Sequence, residues 1–409
     1  MSEEALGGWW SFATAGRVVY GRGSASLVGQ VVRPLGHRIL ICTDKNLVAA
    51  GLVERVLSVL QDEANLEVMV LPWGEPEIAL EQAEACAAQA AAMRPDVIVG
   101  LGGGSNMDLA KLVAARLASG GTMQQWATGT PPAATLPVVA IPTTAGTGSE
   151  VTSVAVVTDP ATGTKVGIST PLLLPARAIV DPAMTDNCPR KVTTDSGVDA
   201  LTHAIEAYTC VDFRERAAAP LAATGFVGKN PLSDVLALEA IRLLAKSLPT
   251  VVANGSDEAA RDDVSLAALL AGLAFSSAGT GIVHALQYPL GTLTHTSHGH
   301  GNALLLPAAI KHNIPVRTGE YAKVARLLGT EDASDDDAAA ALPLIISTFV
   351  EGLGIAPSLK SIGVTPTDIG PMAAAAAKIS RLVANNPAPI DEAGLADVLT
   401  DALTWPANA

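Results

Sequence analysis

The spacing of apolar positions changes partway along the chain, and with it the kind of element the sequence predicts. In the first half, short runs rich in Val, Ile and Leu alternate with longer stretches whose apolar residues recur at helical spacing. Residues 38–43, 66–71, 96–100 and 137–142 read as strands. Between them, residues 78–93 are dominated by Ala, Glu and Gln and run up to Arg94-Pro95, which reads as a helix with its stop. This alternation predicts parallel strands joined by crossover helices, an α/β doubly wound, Rossmann-like sheet. From about Lys191 onward the strand signals give way to Ala/Leu-rich sequence at helical spacing, which predicts an all-α second domain. The boundary is expected in the loop carrying Asp181-Pro182 and Cys188-Pro189. The expected domains are thus 1–188, binding a dinucleotide, and 189–409, helical and binding a metal. A weaker break covers residues 207–230, before Pro231-Leu232-Ser233-Asp234 opens a new helix. No internal repeat and no disordered tail stands out.

Composition narrows the picture. A chain of 409 residues, 49% hydrophobic, exceeds what one core usually supports. Aromatics make up only 3%, so the interior is expected to be aliphatic. A net charge of −14 argues against nucleic acid and against anionic membrane surfaces as partners. Cys42, Cys86, Cys188 and Cys210 are scattered without a CxxC pair and read as reduced thiols, which points to a cytoplasmic protein. The opening MSEEALGGWW lacks the basic and apolar regions of an export signal, and the apolar stretch near residue 266 is too short for a bilayer span.

Four places carry chemistry. Residues 97–108, ending Gly102-Gly103-Gly104-Ser105-Asn106-Met107-Asp108, read as a strand running through glycines into a helix. Glycines let a backbone approach a pyrophosphate, and the helix start offers free N–H groups. The spacing is not GxGxxG, so a tight strand-to-helix turn with Asp108 as a first-turn acid is an equal reading. Residues 142–152 follow a second strand and hold five hydroxyl side chains and two glycines, including Thr143, Thr144 and Thr147. Such density suits ribose and phosphate oxygens, although a polar capping loop explains any one of these residues. Asp44 ends a strand, where an acid can accept from an adenosine ribose or simply face solvent. The fourth place decides the chemistry. Asp199 and His203 are four apart, on one helical face, and His284, His295, His298 and His300 crowd into 17 residues downstream. Each histidine alone reads as packed or solvated. Together, with an acid and no cysteine, they suit a divalent transition metal.

These residues closely resemble the iron-containing alcohol dehydrogenase family. Its GGGSxxDxxK loop appears at Gly102 to Lys111, and its TTAGTGSE loop at Thr143 to Glu150. The resemblance implies metal ligands Asp199, His203, His284 and His298, an N-terminal α/β cofactor domain, and a C-terminal helical domain with the metal in the cleft between them. It implies that Asp44 faces the adenosine ribose. It further implies that Gly102, Gly103, Ser105, Asp108, Thr143, Thr144 and Thr147 form the dinucleotide site, and that Lys165 sits near the nicotinamide ribose. The expected cofactors are NAD and Fe²⁺, with Zn²⁺ or another divalent ion as substitutes. The expected partners are a small alcohol or aldehyde and other copies of the chain, as a homodimer or higher homo-oligomer. Two departures stand out. Where the family often has a histidine four residues after the third ligand, this chain has Tyr288, a candidate proton relay alongside His295 and His300. Residues 212–231 resemble a segment of the branch that includes hydroxyacid–oxoacid transhydrogenase, the alternative activity.

The function expected is therefore metal-dependent hydride transfer between a nicotinamide and a small alcohol or aldehyde. A lyase related to dehydroquinate synthase shares the architecture, but its phosphorylated or carboxylated sugar calls for nearby cations. There is no Lys or Arg in residues 198–208 or 281–307. A non-enzymatic scaffold would not need four clustered ligands beside two cofactor loops.

Overall fold

The computed structural model describes residues 8–159, 163–216, 225–330 and 332–406. These form two compact units: Ala13–Cys188 with Gly255–Ser265, and Met1–Phe12 and Pro189–Asn254 with Leu266–Ala409.

The first unit is built on a six-stranded sheet of β1 (Val18–Tyr20), β2 (Arg38–Thr43), β3 (Glu67–Pro72), β4 (Val97–Gly102), β5 (Val138–Pro142) and β8 (Arg177–Val180). The order is β1-β8-β5-β4-β2-β3, and every pairing is parallel. Period-two alternation sends the side chains of each central strand to opposite faces. Leu40, Cys42 and Ile98 join one apolar core with the helices Leu80–Ala91 and Gly104–Ala118. Ile39, Ile41, Val97 and Val99 join another with the helix Leu52–Asp62. Covered on both faces, these strands read as unbroken apolar runs. The chain leaves β2 outward to β3, then crosses back over it to β4, so the winding reverses between β2 and β4. In open α/β sheets, ligands bind at the carboxyl ends of the strands flanking this reversal. Asp44 and Gly102 stand there.

The structure adds elements that the sequence reading passes over. β1 and β8 are only three and four residues long, and β6 (Val154–Asp159) with β7 (Thr164–Ser169) forms a separate antiparallel pair.

The second unit is helical. The helices that matter most are Arg190–Thr209, Pro231–Ala253, Ile282–Thr294 and His298–Leu327. Gly299 permits the last of these to approach the first, because a Cβ there would collide with the Asp195 carbonyl oxygen. The left-handed His295, at φ 53°, brings the Ile282–Thr294 helix to its end, with Pro289 accommodated inside it. Of the segment 212–231, residues 217–224 lie outside the described residues. Among the described residues, no single helix is long and apolar enough to cross a membrane.

Candidate functional site

In the helical unit, Asp199 and His203 lie one turn apart on the Arg190–Thr209 helix, His284 in the first turn of the next site helix, and His298 at the start of a third. The Nε2 atoms of His203, His284 and His298 lie 3.9, 3.8 and 3.8 Å from Asp199 Oδ1. These separations are too long for hydrogen bonds. They suit neighbours on one ion, since ligands each about 2.0–2.2 Å from a metal stand about 3–4 Å apart. Ligand atoms of Asp199, His284 and His298 all lie within 4.8 Å of one another. His203 stands beside this group of three, its Nε2 3.9 Å from Asp199 Oδ1 and its ring stacked on His284 at 4.6 Å and on Phe275 at 4.2 Å. One carboxylate oxygen and three imidazole nitrogens, without thiolate, are a donor set for a divalent transition ion.

The tautomers agree with that use. Glu206 Oε2 meets His284 Nδ1 at 2.5 Å, and a carboxylate only accepts, so Nδ1 carries the proton and Nε2 presents a lone pair. Glu206 Oε1 accepts from the Val283 N–H at 2.9 Å. Asn302 Nδ2 donates to Asp199 Oδ1 at 2.8 Å and lies 3.3 Å from His284 Nε2. Two acceptor atoms therefore face the same small space. Burial pushes His284 toward its neutral form, but the charge and hydrogen bond of Glu206 and the charge of Asp199 outweigh it, so the local field favours positive charge. The His298 side chain is 33% exposed, against 6% for His203 and His284, which makes His298 the open side of the group. The Tyr288 ring lies 6.3 Å from that of His298. His295 is exposed, while His300 Nδ1 sits 3.7 Å from Asp195.

In the α/β unit, Gly102 ends β4 at φ 145°, a left-handed backbone where a Cβ would also strike the Asn106 amide. Gly103 then caps the Gly104–Ala118 helix. The Thr143 N–H donates to the Gly102 carbonyl at 3.0 Å, and Gly103 and Gly104 adjoin the side chains of Thr144 and Thr147. The two loops thus meet at the ends of adjacent strands. Asp44 Oδ1 accepts from the Asn46 and Leu47 N–H groups, and its Oδ2 accepts from Asn106 Nδ2. Ser105 Oγ donates to the Pro76 carbonyl.

Asp108 is buried, accepting from Ser149 Oγ at 2.6 Å and the Val156 N–H at 2.9 Å. Burial raises its pKa, with Lys111 opposing, and Lys111 is itself lowered by burial. The Lys111 ammonium reaches Ser149 Oγ and the Val154 carbonyl, so this pair ties the two loops together from inside. Lys165, on β7, is paired with Glu77 at 2.8 Å.

Sequence reasoning passes over Glu206, Gln287, Asn302 and Asn106. Glu206 has a signal, three residues after His203 and seven after Asp199 on one helical face. The others act through contacts between elements.

Two family models match the chain: iron-containing alcohol dehydrogenase over residues 15–182, and the Fe-containing alcohol dehydrogenase family, C-terminal, over residues 193–403. Long-chain-alcohol dehydrogenase 1 of Geobacillus thermodenitrificans (strain NG80-2) is 38% identical over 375 residues, 90% of each chain. NAD-dependent methanol dehydrogenase of Bacillus methanolicus is 34% identical, covering 86% of this chain and 89% of its own. A crystal structure of 1,3-propanediol oxidoreductase superposes with a TM-score of 0.89 at 33% identity, covering 97% of this chain and all of the other.

Proposed function

This chain belongs to the iron-containing alcohol dehydrogenase family and is a metal-dependent oxidoreductase of alcohols and aldehydes; on that premise we propose which of its residues do the work. Asp199, His203, His284 and His298 hold the divalent ion. The observation that carries this assignment is the turning of three Nε2 atoms toward one carboxylate oxygen at 3.8–3.9 Å. When bound, the ion stabilises negative charge on the substrate oxygen while nicotinamide gives or takes the hydride.

Gly102, Gly103, Ser105, Thr143, Thr144 and Thr147 cradle NAD(H), supported by their position at the strand ends beside the sheet's reversal. Asp108 serves that site from behind, by fixing Ser149 and the strand that follows. Asp44 accepts from the adenosine ribose with the position on Oδ2 that Asn46, Leu47 and Asn106 leave over, a carboxylate having about four acceptor positions. Lys165, held by Glu77, lies at the nicotinamide end. Tyr288 passes the substrate proton toward solvent on the open side near His298.

The substrate is a small, weakly charged alcohol or aldehyde. Relatives are named for long-chain alcohols, methanol and 1,3-propanediol. The absence of Lys and Arg from residues 198–208 and 281–307 favours such an uncharged molecule. We also propose self-association into a homodimer or higher oligomer, for which the exposed Val235 and Leu344 offer apolar surface; light scattering checks it. A panel of primary alcohols and aldehydes, with sulfonated and phosphorylated analogues, tests the substrate class. Turnover is expected for the uncharged members, and a preference for the anionic ones would contradict it.

A further inference from the structure

Two of the imidazoles in the metal cluster are anchored from behind by different chemistry. His284 Nδ1 meets the Glu206 carboxylate. His298 Nδ1 meets the Oε1 of Gln287 at 2.5 Å. Gln287 lies one turn after His284 and is fully buried, yet its Nε2 has no hydrogen-bond partner among the described residues. Burying an amide with half its capacity unmet is unfavourable compared with an apolar side chain of the same shape. The bond this side chain makes is directed at His298.

We infer that Gln287 is the positioning residue for His298: its carbonyl accepts the Nδ1 proton and so fixes the tautomer whose Nε2 lone pair faces Asp199. This rests on the assignment of His298 as a metal ligand. His203 is held between Phe275 and His284, and His284 is buried against Glu206, whereas His298 is the ligand most open to solvent. Packed less closely than the other two, its ring gains more of its orientation from the hydrogen bond to Gln287.

The test is equilibrium binding of Co²⁺ to chelator-stripped enzyme, by competition with a chromophoric chelator and by the Co²⁺ absorption spectrum, in wild type, Gln287→Met, Gln287→Glu and His298→Ala. Gln287→Met keeps the shape and removes the acceptor; it is expected to weaken binding about 10–100-fold and to alter the spectrum. Gln287→Glu keeps the acceptor and is expected to bind within a few fold of wild type. Wild-type affinity and spectrum in Gln287→Met, alongside loss of the ion in His298→Ala, would overturn the positioning role while leaving the ligand assignment standing. Gln287→Glu losing the ion as fully as Gln287→Met would overturn it too. Full binding in His298→Ala would remove the ligand assignment and this inference together.

Discussion

Asp44 and Asn106 are joined across the sheet's reversal by a 2.7 Å hydrogen bond, from the amide of a residue in the glycine-rich loop to a carboxylate at the end of the neighbouring strand. The same carboxylate caps the short helix that follows it. One acid thus sets the position of both backbone segments. With the adenosine ribose placed against Asp44 as proposed above, this charge would disfavour a 2′-phosphate, which carries close to two negative charges.

NAD(H) is therefore expected to be preferred over NADP(H), and Asp44→Ser to erode the preference. Serine keeps a capping oxygen and removes the charge. The ratio of kcat/KM for the two cofactors should move toward NADP by about tenfold or more. Efficiency with both should fall, because Asn106 loses its acceptor. An unchanged ratio would place the adenosine end elsewhere.

Glu206→Ala is expected to weaken metal binding by about 10–100-fold, since His284 loses both its tautomer and its orientation. Metal content after dialysis against a fixed chelator concentration reads this directly. Retention of a full complement of ion would show that packing alone holds His284.

Glu150 gives a pH dependence. Burial pushes its carboxyl up to about 7, opposed by its own backbone N–H and by the Lys111 charge. A carboxyl whose folded pKa is raised stabilises the fold relative to the unfolded chain at low pH, and loses that contribution as pH rises through about 7. Glu150→Gln should therefore match wild type in Tm near the ordinary carboxylate range and exceed it above neutrality. The gap should be a few kcal/mol at most. A constant difference across this window would mean that Glu150 stays ionised when folded.

Tyr288→Phe removes the hydroxyl and keeps the ring. It is expected to lower kcat at least about tenfold with metal content unchanged, a positioned proton donor or acceptor being worth about 100- to 10,000-fold. Normal kcat across the pH profile would exclude Tyr288 from the proton path.

The sequence makes the central sheet legible because each inner strand is apolar on both sides; the run 38–43 coincides with β2. β1 and β8 are too short to carry a pattern, and β6 and β7 pair with each other outside the main sheet. In the metal cluster, the i, i+4 spacing of Asp199 and His203 and the crowding of histidines after His284 are local signals. The contacts of Gln287 with His298 and of Asn302 with Asp199 form only when separate helices pack. The same holds for Asp44 and Asn106, which are 62 residues apart. Asp108 illustrates the converse: its position in the glycine-rich loop suggests contact with cofactor, whereas its carboxylate turns inward to Ser149 and Val156.

The most direct measurement is anaerobic titration of chelator-stripped enzyme with Fe²⁺ in the presence of NADH and a small aldehyde, following loss of nicotinamide absorbance in wild type and in His284→Ala. Wild-type turnover should rise with added Fe²⁺ and level off at roughly one ion per chain, and His284→Ala should bind the ion poorly and turn over at least about a hundredfold more slowly. Undiminished turnover by stripped enzyme free of detectable metal, or by His284→Ala, would contradict an ion held by Asp199 and the three histidines.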